Sequence, residues 1–518
     1  MKRSTAPLEA TPDNWRARDS LAVIWAYCQF LQANDFLMPQ DIEVAQQFRD
    51  ARPRRGVLSE WTLEHIAREV IRYGDEEARD GRTLKRWDTL VHLANTLRDL
   101  EGEIYRNLVG GPSIQLELMR IMHRQFVWQQ QRFNWTWIIR YYKLFNTPAL
   151  TDHAEQATGL SIEQIYLIGM CYLGHFFGEP RWVRRIRVEI PGLNDEHIER
   201  FLAFTSLRRN ALAEKLRAEH ALDEGFAYRY SSLRAFPIVQ FSHRGIDEIA
   251  CPLPTLLFWR ITTGLYYSLK EQAGFPSAFG DSFQAYAGEV LQRRIVNPTM
   301  QVLGEAEYHV GQNRKDSIDW IVQEGDAAAL FVECKTMRLT WASKAGMSDL
   351  TALAQDIRKL AGAVLQAYKA IRDYRAGCYP HLPYVEARRV YPIILTLEDW
   401  YCCGLYLPTL LDEAVRNLMQ AANLPLDWLQ AMPYAVISID EFETAAGATS
   451  AAGIHAFWSG KLEDAEKRRW PFRSYCNDCF AEQVGALPDL FLDEYEAMFA
   501  GIDARDWDSL RRSIVRTK

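Results

Sequence analysis

The residues of this chain that could do chemistry stand close together in its second half: Asp319, then Glu333-Cys334-Lys335, with Glu289 upstream. Each element lies at the end of an apolar run, Ser317-Ile-Asp-Trp-Ile-Val and Ala328-Ala-Leu-Phe-Val-Glu-Cys-Lys. Two carboxylates and a lysine brought to one end of a sheet form a buried charge trio. Such a trio is costly unless its members pair with one another or bind a metal ion. The chemistry to expect is therefore hard-cation binding combined with proton transfer.

Strand alternation places these side chains. Successive residues of a strand point to opposite faces. Ile318, Trp320 and Val322 then share one face and leave Asp319 on the other. Val332 and Cys334 share a face, while Glu333 and Lys335 project together from the opposite one. Gln323-Glu-Gly-Asp reads as a short hairpin turn between the two runs, with Gly325 inside it. Upstream, Asp281 to Arg294 reads as a helix packed through Phe283, Tyr286, Ala287, Val290 and Leu291, with Glu289 beside the stripe. Glu305 to Val310 reads as a first strand. Downstream, Asp349 to Arg375 places Leu350, Leu353, Ile357, Leu360, Val364, Tyr368 and Ile371 on one narrow stripe, the pattern of a helix laid on a sheet. Val390 to Leu397 and Tyr434 to Ile439 read as buried strands. The order helix, three strands, helix, strand predicts an α/β fold, an αβββαβ core around a mixed sheet.

With these residues in this order, the segment from about Phe275 to Asp440 resembles the PD-(D/E)xK nuclease superfamily, the restriction-endonuclease-like fold. Asp319 matches the first acid and Glu333-Cys334-Lys335 the (D/E)xK element. Glu289 matches the extra carboxylate that many members carry on the first core helix. Ile318 stands where the motif has proline, a replacement that many members tolerate. The resemblance implies Asp319, Glu333, Lys335 and Glu289 as catalytic residues. It implies Glu289, Asp319, Glu333 and a backbone oxygen of Cys334 as ligands of Mg²⁺ or Mn²⁺. It further implies metal-dependent hydrolysis of nucleic-acid phosphodiester bonds, with DNA favoured, in the manner of prokaryotic anti-phage defence enzymes. The alternatives are a catalytically inactive nucleic-acid-binding or assembly protein on the same fold, and an RNA-directed nuclease. Gln366 and Lys369 either contact the phosphate backbone or form a solvent-facing side.

The remainder of the chain fits a multi-domain globular protein. Its 518 residues suggest about three domains, and 48% apolar with 25% charged residues is ordinary globular usage. The net charge of −7 excludes a protein held on nucleic acid by bulk positive charge, so any such surface is local. Residues 1–220 read as a large helical recognition or assembly region, 221–270 as a strand-helix connector, 271–445 as the core and 446–518 as a C-terminal extension. Ser59 and Ser161 are expected to open helices, and one long helix is expected from Ile114 to Leu144. Arg181, Arg184, Arg185, Arg187 and Arg208, Arg209, Lys215, Arg217 read as solvated faces, with nucleic-acid contact as the alternative. The helical region could also bind a partner protein or another copy of the chain.

The nine cysteines have no framework spacing, and Cys476-Asn-Asp-Cys479 lacks the second pair of a zinc ribbon. Cys402, Cys403 or His455 could complete a zinc site only through tertiary proximity. No Walker loop, G-x-S-x-G or H-E-x-x-H is present. The amino terminus carries no secretory pattern and no run is long and apolar enough to span a bilayer, so a cytoplasmic chain without membrane partners is expected.

Overall fold

The computed structural model describes residues 15–33, 36–45, 58–76, 82–108, 114–129, 133–184, 192–243, 245–340, 343–344, 350–402 and 406–498. The chain forms two compact units, Met1–Phe275 with Asp493–Lys518, and Pro276–Leu492.

The first unit is mainly helical. Local signals set several of its helix starts. Ser161 accepts from the Gln164 N–H at 3.2 Å while Gln164 Oε1 accepts from the Ser161 N–H at 3.0 Å, a reciprocal cap for Ile162–Gly178. The expected single helix from Ile114 to Leu144 is two, Ile114–Gln129 and Trp135–Phe145, because Asn134 caps the second by accepting from the Thr136 N–H. The region is not all-helical either. Strands β1 (Arg181–Val183), β2 (Ser206–Arg208), β3 (Ile238–His243) and β4 (Ile246–Ala250) form a sheet in the order β1-β4-β3-β2. The 221–270 segment therefore supplies half of a sheet inside this unit instead of a connector. The arginine clusters divide. Arg184 donates to Glu199, while Arg209 is buried and donates to the Ile71 and Gly74 carbonyls. Arg185 and Arg187 lie outside the described residues.

The second unit is a mixed α/β layer structure. Its strands are β5 (Met300–Gly304), β6 (Glu307–Val310), β7 (Asn313–Asp316), β8 (Trp320–Glu324), β9 (Ala328–Lys335), β10 (Arg389–Thr396) and β11 (Ala435–Ser438). Five of them form one sheet in the order β11-β10-β9-β8-β5. β5, β8 and β9 pair antiparallel, whereas β9, β10 and β11 run parallel. The helix Phe275–Arg294 precedes this sheet, and Thr351–Arg375 crosses over between β9 and β10. Leu353, Ile357, Leu360, Val364, Tyr368 and Ile371 of the crossover helix are all buried, as its stripe predicted, whereas Leu350 stands before the first turn and is exposed. Asp349 lies outside the described residues, and Gln366 and Lys369 are exposed.

Three expectations shift. The first strand of the sheet is β5, not Glu305–Val310. β6 pairs instead with β7 in a separate hairpin, which turns through Gly311 at φ +62°, a left-handed conformation natural to glycine. The second strand begins at Trp320, so Asp319 stands just before it. Residues 446–492 are also no extension, because they help to build the second unit. Glu324 accepts from the Ile454 N–H at 2.8 Å, and the Arg294 Nη1 donates to the Pro488 carbonyl at 2.7 Å. Among the described residues no helix is long and apolar enough to cross a membrane.

Candidate active site at the ends of β8 and β9

The register of the sheet brings the acids together. Trp320 pairs with Val332, the last pair of the β8–β9 ladder. One step further, Asp319 comes opposite Glu333. Directly opposed residues of an antiparallel pair project from the same face. The Asp319 Oδ2 accepts from the Cys334 N–H at 2.6 Å, which ties the residue before β8 to the end of β9. Lys335 Nζ donates to Glu333 Oε1 at 2.5 Å. Parallel pairing then sets Lys335 beside Thr396, and Thr396 beside Ser438. The C-terminal ends of three parallel strands thus lie next to one another at this edge, where open α/β sheets commonly place their ligands.

Burial raises the proton affinity of the pair. Glu333 is only 2% exposed. Loss of water, then the neighbouring Asp319 charge, push its carboxyl up to about 7, against the opposing pull of Lys335. Asp319 is also raised, first by burial, with the Cys334 N–H and Lys335 acting the other way. Two carboxylates, one buried and one half-buried, beside a single lysine leave a deficit of positive charge. A hard divalent cation offsets such a deficit. Mg²⁺ commonly takes one or two carboxylates and keeps several waters, so this donor set fits it. Among the described residues no group of three or more His, Cys, Asp or Glu side chains is arranged to hold a metal ion. The Cys334 thiol is held protonated by burial and by both carboxylates, which leaves its backbone oxygen as its available hard donor.

The helix Phe275–Arg294 reaches the same region through Trp320. Its indole Nε1 donates to the Gln284 carbonyl at 2.9 Å. At Gly288 the ring comes so close that a Cβ would lie 2.1 Å from it. Only glycine permits that approach. Glu289, the next residue, is half-buried on this helix.

Sequence reading missed Glu305, which it treated as the start of a strand. The residue follows β5, accepts from Gln284 Nε2 at 3.0 Å, and its charge raises both Asp319 and Glu333. It missed a second acidic group as well. Asp399, just after β10, is pushed well up by burial and by Glu441, while Arg473 pairs with Asp440 just after β11. The available signal was the one that identified Glu333, an acid at the C-terminal end of an apolar strand.

The C-x-x-C cysteines lie on the helix Phe472–Cys479, Cys476 buried and Cys479 exposed, and both are free thiols. His455 is hydrogen-bonded through Nδ1 to the Tyr391 hydroxyl at 2.7 Å. Cys403 lies outside the described residues.

Comparison of the chain with protein-family models, with curated proteins and with solved structures finds no significant match.

Proposed function

We propose that the second unit is a metal-dependent nuclease of the restriction-endonuclease-like kind, acting on phosphodiester bonds of nucleic acid, with DNA favoured. One observation carries this reading. Asp319 and Glu333 stand opposite each other at the end of β8 and β9, with Lys335 bonded to Glu333, on a helix-led mixed sheet whose fourth strand joins in parallel. Asp319, Glu333 and the Cys334 backbone oxygen would hold Mg²⁺ or Mn²⁺, with Glu289 as the outer carboxylate of that set. When bound, the ion supplies Lewis-acid polarisation of a phosphoryl oxygen and a more acidic water.

The protein's own groups do the rest. Lys335 Nζ hydrogen-bonds the attacking water or offsets negative charge on the phosphoryl oxygens in the in-line transition state. The Cys334 N–H fixes the Asp319 carboxylate, so one oxygen is committed and its partner is aimed. Burial of Glu333 excludes bulk water and strengthens each of these interactions.

The direct test incubates the full chain with supercoiled plasmid, single-stranded DNA and RNA, in Mg²⁺, Mn²⁺ or EDTA. Metal-dependent cleavage that is lost in Asp319→Ala supports the reading. Binding to nucleic acid with no cleavage in any metal would favour an inactive relative on the same fold. Cleavage of RNA alone would reassign the substrate.

A further inference from the structure

The first unit contains a cavity that the nuclease reading does not use. It measures about 510 Å³, within the ~300–1,000 Å³ of small-molecule sites. The helices Glu60–Tyr73, Trp87–Leu108 and Ile114–Gln129 line it together with the 224–228 segment, and it opens to solvent on one side. Its wall combines aromatic faces, among them Tyr105 and Tyr228, with the guanidinium groups of Arg98, Arg120 and Arg124.

Two features shape the wall as a site. Arg120 is 2% exposed and its guanidinium is held in place, Nη1 donating to Glu117 at 3.1 Å and Nη2 to the Glu224 carbonyl at 2.5 Å. The second feature is Gly102. It stands inside a 22-residue helix, where glycine is a poorer helix former than alanine. A Cβ built there meets nothing within 4 Å, so no packing partner demands the glycine. Gly102 borders the cavity, so a long side chain there would extend into it.

The lining chemistry narrows the ligand class. The Arg120 guanidinium lies 3.9 Å from the Tyr228 ring centroid and that of Arg124 lies 5.2 Å from it. Stacked arginine and tyrosine make flat, electron-rich and cationic surfaces on which nucleobases stack. Guanidinium forks match phosphate oxygens. The carboxylates of Glu101 and Glu117 are acceptors for N–H groups of a base edge, and already accept from Arg124 at 2.6 Å and from the Tyr228 hydroxyl at 3.0 Å. We propose that this cavity binds a mononucleotide, its base against Tyr105 and Tyr228 and its phosphate toward the arginines.

The experiment is isothermal titration of the full chain with ATP, GTP, AMP and GMP, with inorganic phosphate as control, alongside thermal melts. The expected result is saturable one-to-one binding of at least one nucleotide. Gly102→Leu should fill the cavity and weaken binding at least tenfold without lowering the melting temperature. Arg124→Gln should also weaken binding, and more for the triphosphates than for the monophosphates. Failure of all four nucleotides to bind would overturn the proposal. So would equal affinity of wild type and Gly102→Leu, since the ligand would then sit elsewhere. Because binding is read directly, a negative result says nothing about cleavage by the second unit.

Discussion

The Cys334 N–H donates to the Asp319 carboxylate at 2.6 Å, so a residue that precedes one strand is locked to the end of the next. The ladder stops at Trp320–Val332, and this side-chain bond continues the connection one residue further. It also explains how Asp319 stays fixed outside regular structure, against the repulsion of Glu333.

Asp319→Asn should leave the melting temperature within a few degrees of wild type and reduce metal-dependent cleavage by roughly 100-fold or more, because a neutral amide is a poor ligand for a hard dication. Steady-state cleavage beside circular dichroism melts separates the two effects. Near-normal rates in a folded mutant would remove Asp319 from the site.

Glu333 carries a pH signature. Its carboxyl is raised in the folded chain to about 7 from an ordinary 4.5, so between those values the folded state holds more protons than the unfolded state. Stability from this group is therefore present at low pH and declines as pH rises through about 7. Denaturant midpoints measured from pH 5 to 8 should show that decline in metal-free wild type. The slope should be weaker in Glu333→Gln. Added Mg²⁺ should oppose the decline, since it favours the ionised pair.

Glu305 and Glu289 make different expectations. The Glu305 charge raises both site carboxyls, so Glu305→Gln should lower the pH at which cleavage reaches half its plateau. If Glu289 is an outer ligand, Glu289→Gln should raise the Mg²⁺ concentration needed for half-maximal activity. A metal titration with an unshifted midpoint and plateau would take Glu289 out of the ligand set.

Gly288→Ala tests the contact that positions the first helix of the core. The added methyl would overlap the Trp320 ring, a contact at 2.1 Å that cannot persist. Overpacking of this kind costs about 1–3 kcal/mol, read as a lower denaturant midpoint. Cleavage should fall as well, because the displaced indole borders Asp319.

Much of the second unit could be read from the chain because its signals are local. Ala328 to Lys335 is apolar up to its terminal charges, and it is β9 with those bounds. The crossover helix announced its buried stripe through 3.6-residue periodicity, which depends on nothing beyond its own sequence. Alternation likewise placed Glu333 and Lys335 on one face before any partner strand was known. Other features depended on what lies across the sheet. The short runs Met300–Gly304 and Glu307–Val310 compete to be the edge strand, and only the pairing of Val302 with Val322 decides between them. Glu305 became part of the site because that choice put the chain reversal beside Gln284. Gly288 is an unremarkable helix residue until the Trp320 ring arrives from another strand. The buried charge of Glu333 is the same kind of fact: its type and position are written in the sequence, but its raised proton affinity comes from the water that tertiary packing removes and the Asp319 that packing places opposite.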